Sequence, residues 1–164
     1  MKQSILILLC LLTIAGCTKN NVPDGLPELV SVTLTFTQDG VPLTGATVSL
    51  IDPNGGVPFV VGGTTNAKGN VVLHTHGRHK GAPLAKFKIR IEKTESDPRP
   101  IPPDVGTPEF EAYRKEMESL PPQKMYSLVE KQYTQVETTP LELDITGPLT
   151  RTFDIGKAVK DVLE

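Results

Sequence analysis

Tryptophan is absent from this chain of 164 residues, and the other aromatic residues are five phenylalanines and three tyrosines. A flat aromatic platform for a sugar ring could come only from Tyr113, Tyr126 or Tyr133. Cysteine is confined to Cys10 and Cys17, so everything downstream has neither a disulfide nor a thiol nucleophile. There is no basic run: 17 Lys and Arg stand against 19 Asp and Glu, with a net charge of −2. A nucleic-acid backbone needs a concentrated positive surface, so such a partner is not expected. No G-x-S-x-G elbow, phosphate-binding loop or H-E-x-x-H pair occurs. The one long apolar run, Ile5 to Ile14, is about half the ~20 residues that cross a bilayer as a helix.

What is present begins with that run. Met1-Lys2-Gln3-Ser4 leads it with a positive charge, and the small residues Ile14-Ala15-Gly16-Cys17 follow it. This is the layout of an export signal. Those four residues match the bacterial lipobox, so the start of the chain resembles a lipoprotein precursor. The resemblance implies cleavage after Gly16 and a diacylglycerol on the Cys17 thiol, with further acylation of the new amine. Several acyl chains hold a protein on a membrane where one is marginal. The expectation is therefore a signal peptide over 1–16 and a lipidated Cys17 heading a polar tether over 17–29. The address would be the bacterial envelope, with the protein facing out of the cytoplasm.

The body reads as short strands separated by turns. Val30, Val32, Leu34 and Phe36 alternate with Ser31 and three threonines, the period of a half-buried strand. Asp39-Gly40 supplies a hairpin turn, and Ala46, Val48 and Leu50 define the returning strand. Asp52-Pro53-Asn54-Gly55 is a turn; it opens like a calcium loop but lacks the downstream acidic ligands. Val57 to Val61 reads as a short strand or edge, with Gly62-Gly63 loosening the crossing that follows. A turn at Asn66 to Gly69 precedes Val71, Leu73 and Thr75. Phe87, Ile89 and Ile91 alternate with Lys86, Lys88, Arg90 and Glu92 in the cleanest amphipathic strand. Leu141, Leu143 and Ile145 form another inward set, as do Leu149, Phe153 and Ile155, with Arg151 leaving the start of that last strand exposed. About seven strands with frequent turn signals predict an all-β sandwich over 30–156.

One long insertion interrupts it, over 95–135. Its first part, 96–106, is proline-rich and extended. Thr107-Pro108-Glu109 then starts a helix near 107–120: a capping hydroxyl, a proline in the first turn and acids at the positive dipole end. Phe110, Tyr113, Met117 and Leu120 share one helical stripe, which predicts packing on the sandwich or over a sheet edge and burial of Tyr113. Residues 125–136 leave helix and strand both open, and 157–164 reads as a frayed tail or short helix.

Several of these stretches resemble a known family. Asp39-Gly40-Val41-Pro42-Leu43-Thr44-Gly45-Ala46-Thr47-Val48 is similar to the first hairpin of carboxypeptidase regulatory-like domains. Thr65-Asn66-Ala67-Lys68-Gly69 resembles their next turn, with Asn66 where the family carries Asp, and 82–89 resembles a later strand, with Ala85 in place of glycine. Residues 129–145 resemble a segment of small transthyretin-like bacterial lipoproteins. The resemblance implies a transthyretin-like (prealbumin-like) Greek-key sandwich of about seven strands. It implies no catalytic residues, and the Tyr-Arg-Gly-Ser terminus of the related hydroxyisourate hydrolases is missing from Lys157 to Glu164. The first-strand lysine that an isopeptide-bonded pilin sandwich requires is also missing from 30–36.

Only one cluster carries metal chemistry. His74, His76 and His79 lie within six residues, and on a strand His74 and His76 would share a face and could bind Zn²⁺ with a third ligand. No carboxylate adjoins, and exposed imidazoles at a loop account for them equally well. No cofactor is implied. The sequence therefore predicts a non-catalytic, membrane-anchored sandwich with a protein partner at the envelope. A carbohydrate-binding module is the alternative, with a metal-dependent activity at the histidines as a weaker third. The insertion, 96–120, is the expected interaction surface, because long insertions in compact domains tend to be functional.

Overall fold

The computed structural model describes residues 25–163. The leader, Cys17 and the first part of the tether lie outside the described residues. Within these bounds the chain is mainly β.

The first long strand sets the pattern. After the short β1 (Leu29–Val30), β2 (Val32–Gln38) buries Val32, Leu34 and Phe36 completely and leaves its threonines half-buried. β2 turns into β3 (Val41–Pro42) through Asp39 and Gly40 alone, with φ of 48° and 76°. Two left-handed residues make the turn whose twist suits a two-residue hairpin. β4 (Thr47–Ile51) follows with Val48 and Leu50 inward, then β5 (Val61–Thr64) and β6 (Asn70–Val72).

A small hairpin of β7 (His74–Thr75) and β8 (His79–Lys80) leads to β9 (Ala82–Pro83), which pairs with β1. β10 (Lys86–Glu92) buries Phe87, Ile89 and Ile91, and β11 (Thr94–Ser96) continues its line after Lys93. Helix α1 (Pro108–Ser119), β12 (Met125–Ser127) and the one-turn α2 (Lys131–Thr134) come next. β13 (Glu142–Asp144), β14 (Leu149–Asp154) and β15 (Asp161–Val162) complete the chain.

Two sheets enclose the core. One runs β13-β10-β4-β5-β7-β8 and is antiparallel throughout. The other runs β14-β2-β3, with β6 also on β2. Their inward side chains form a single cluster that includes Phe36, Val48, Val71, Ile89, Leu143 and Ile155. β14 lies parallel to β2, from Leu149 opposite Val32 to Asp154 opposite Thr37. The last long strand is therefore sealed against the first, and the Phe36 and Phe153 rings stack 5.5 Å apart.

Several expectations change. Fifteen short strand segments replace about seven strands among the described residues, because bends and single-residue breaks divide the longer runs. Gly62 and Gly63 do not loosen a crossing. They lie inside β5, where a Cβ would meet the Val48 carbonyl in one case and the Val71 side chain in the other. Helix α1 occupies the predicted residues with Thr107 as its cap, but none of its residues is buried, so it does not pack on the sandwich. The stretch left open over 125–136 contains both a strand, β12, and a one-turn helix, α2, whose Tyr133 joins the core. The supposed tail contains β15, which pairs with β12.

The β2–β3 turn is held from outside by Asp154. Its Oδ2 accepts from the Gly40 amide at 2.9 Å and the Thr37 hydroxyl at 2.8 Å, and its Oδ1 accepts from the Gly156 amide at 2.8 Å. The Gly40 amide first, then that of Gly156 and the Thr37 hydroxyl, hold this carboxyl below the ordinary aspartate value. A depressed folded-state value stabilises above the unfolded value and is lost as pH falls through the folded one. Asp154→Asn should therefore lower the thermal midpoint at neutral pH, and the gap from the parent should close below about pH 4. A gap that is constant from neutral to strongly acid pH would exclude this role. A second prediction separates strain from clash. Gly40 and Gly69 both have positive φ, but a Cβ on Gly40 meets nothing whereas one on Gly69 would meet the Phe36 carbonyl. Gly40→Ala should cost about 1 kcal/mol and Gly69→Ala at least about 2 kcal/mol more, measured by chemical unfolding.

Candidate functional site

The insertion is a braced arm. β11 and β12 pair as its stem, Thr94 opposite Ser127 and Ser96 opposite Met125. Above them, Asp97 closes the neck: its amide donates to the Lys124 carbonyl at 3.0 Å, its carboxylate accepts from the Lys124 amide, and its carbonyl accepts from the Gln123 side chain at 2.7 Å. The Arg99 guanidinium donates to the Pro121 carbonyl. The outgoing strand carries Pro98, Pro100, Pro102 and Pro103, which fix backbone angles and remove amide donors. At its end Thr107 Oγ1 accepts from the Phe110 amide at 3.2 Å and starts α1.

Because α1 does not reach the sandwich, its apolar stripe turns back on the arm. Phe110, Tyr113 and Met117 are half-buried, the first two rings lie 6.3 Å apart, and Arg99, Pro121 and Pro122 complete the contact. This leaves Ile101 and Val105 almost fully exposed, at 90% and 83%. Met125 on β12 and Val162 and Leu163 at β15 extend the apolar exposure toward the stem.

Beneath the stem lies a groove of about 840 Å³. Glu92 and Lys93 form one wall, Ser127 and Lys131 another, and Asp161 to Leu163 the third. Two carboxylates, Glu92 and Asp161, and two ammoniums, Lys93 and Lys131, line it, and it contains neither histidine nor cysteine. No local signal marked this groove, since it depends on β15 docking beside β12. Lys160 also belongs to that docking: its ammonium lies 4.6 Å over the Tyr126 ring and 3.4 Å from Glu95.

None of the three tyrosines stands fully exposed. Tyr113 is half-buried rather than buried, against Phe110. Lys160 covers one face of Tyr126, and a hydrogen bond to Asp97 pushes that phenol up from its ordinary value. Tyr133 is buried, and burial pushes its phenol up as well. Sugar stacking needs an exposed ring face.

The histidines do not converge. His74 and His79 face different sides of their hairpin, because His74 pairs with Lys80 and His79 with Thr75. The Nδ1 of His74 lies 3.0 Å from the Val72 carbonyl. His76 leaves the strand with φ of 52° and sets its ring edge-on to Phe59 at 5.6 Å, so the expected shared face with His74 is not formed. Among the described residues, no group of three His, Cys, Asp or Glu is placed to hold a metal ion. Both Asp52 oxygens accept turn amides, from Asn54 and Val57 at 2.8 Å.

No family model matches this sequence, and it has no match among curated proteins or solved structures.

The arm's independence has a measurable consequence. Its side chains contribute nothing to the core cluster. Replacing 98–122 by a short Gly-Ser turn should leave the thermal midpoint within a few degrees of the parent, since surface changes away from core features cost about 0.5 kcal/mol or less. Loss of cooperative unfolding would show that the arm is part of the fold.

Proposed function

We propose that this protein is a lipid-anchored β-sandwich of the bacterial envelope, transthyretin-like in type, which catalyses no reaction and presents the 97–124 arm to a protein partner. The observation that carries this reading is the exposure of Ile101 and Val105 on a loop stiffened by prolines and closed at its neck by Asp97. A flexible loop would lose ordering entropy on binding; a braced one has already lost it. Two apolar side chains held outside the core cost solubility, and contact with a partner would recover that cost. The lipobox residues at 14–17 support the address, and the polar segment after Cys17 supports a tether that lets the body reach a neighbour.

The test uses the full chain in its bacterium. A photoreactive residue at Ile101 or Val105 should give a defined crosslinked adduct, and the same residue at exposed Val72 should not. The adduct should disappear in Ile101→Asp when the probe is at Val105. The mature mass should show acyl chains on Cys17, and Cys17→Ser should remove them. Identical adducts from every position would sink the partner reading. A full-length, unacylated chain in the cytosol would sink the anchoring.

A further inference from the structure

Where the described chain begins, Leu26 and Pro27 form one wall of an apolar hollow of about 480 Å³. Val57, Pro58, Phe59 and Leu84 form the rest. Leu84 is 51% exposed, and Val60, next in line, is 71% exposed. Val60 joins this patch to the β7–β8 hairpin, since its carbonyl accepts the His76 amide at 2.7 Å. That hairpin carries Arg78 and Lys80, both exposed, and among the described residues neither has a carboxylate within ion-pair distance. The sequence is one-sided here. From Pro53 to Ile91 there is no aspartate or glutamate, while Lys68, Arg78, Lys80, Lys86, Lys88 and Arg90 all fall within it. Lys86 and Lys88 pair with carboxylates of β13, but Arg78 and Lys80 are left to face solvent beside the apolar hollow.

We propose that this end of the sandwich is a membrane-facing surface, in which Val60 and Leu84 enter the interface of an acidic phospholipid bilayer while Arg78 and Lys80 meet its phosphates. The proposal rests in part on the anchoring of Cys17, which fixes where the bilayer must be. Eight residue steps lead from Cys17 to Gly25, a reach of about 28 Å at most. The end that bears Leu26 is the one from which the chain runs back to Cys17. The patch at that end combines the two features that hold a protein on such a surface: apolar side chains for the acyl boundary and cations for the negative headgroups. The arm's Ile101 and Val105 stand elsewhere, on the loop between β11 and α1, and remain free for the partner.

The experiment separates this surface from the anchor. The core of the described residues is drawn from 25–163, so a form beginning at Thr18 retains every residue of it and carries no lipid. Co-sedimentation with phosphatidylcholine vesicles containing about one-third phosphatidylglycerol should retain this form, with little retention on phosphatidylcholine alone and weakening as salt rises. Arg78→Glu with Lys80→Glu should lower partition at least about ten-fold, since each cation counts near a negative surface. Leu84→Ser with Val60→Ser should lower the retention that persists in high salt. Lys115→Glu with Lys124→Glu, both on the arm, should change little. Equal retention on both vesicle types, no retention at all, or equal losses from the arm and hairpin reversals would overturn the proposal. Acylation of Cys17, read from the mass of the mature protein, stands or falls separately.

Discussion

The parallel contact between β14 and β2 is the constraint on which the rest depends. Parallel neighbours cannot be joined by a tight turn, and here nearly the whole described chain runs between Val32 to Thr37 and Leu149 to Asp154. Once that contact is made, β2 has partners on both sides, and Val32, Leu34 and Phe36 lie on the floor of a closed core. Asp154 fastens the same junction at its end, tying the last strand to the first hairpin through backbone amides and one hydroxyl. The two ends of the sandwich are thereby one mechanical unit.

The closure also decides what can be displayed. β4 pairs with β10 only as far as Glu92, opposite Thr47. Beyond that point the strand continues as β11 without β4 beside it and takes β12 as its partner instead. The chain then has no sheet to cover and builds its own support from a stem, a proline-stiffened loop and a capped helix. At the other end β1 pairs with β9 and keeps the tether exit beside Leu84. The proposed partner surface and the proposed lipid surface are therefore carried by separate elements of one rigid core, each displaying apolar residues that the core has no room to take.

Much of the core was legible because a strand buried on one face repeats every two residues. Val32-Leu34-Phe36 and Phe87-Ile89-Ile91 both face inward as their alternation required. Turn chemistry was equally plain at Asp39-Gly40, and the helix cap at Thr107-Pro108 lies where its residues placed it. Local rules failed where a residue's surroundings came from far along the chain. The stripe Phe110-Tyr113-Met117 looks the same whether a helix covers a sheet or its own loop. His76 continues an alternating pattern in sequence, but the three-residue loop of its hairpin takes it out of the strand. Tyr133 reads as a surface ring until α2 turns it inward.

The sequence by itself determined the all-β class of fold, the inward alternation of the long strands, the tight turns and the one capped helix, since each follows from spacing along neighbouring residues. Only the tertiary structure decided that β14 runs parallel to β2, that the arm stands clear of the sandwich, that β15 closes a groove beneath it and that the histidines point apart. Those outcomes depend on contacts between residues tens of positions away, whose energies compete across the whole molecule, and no local period encodes which of them will win.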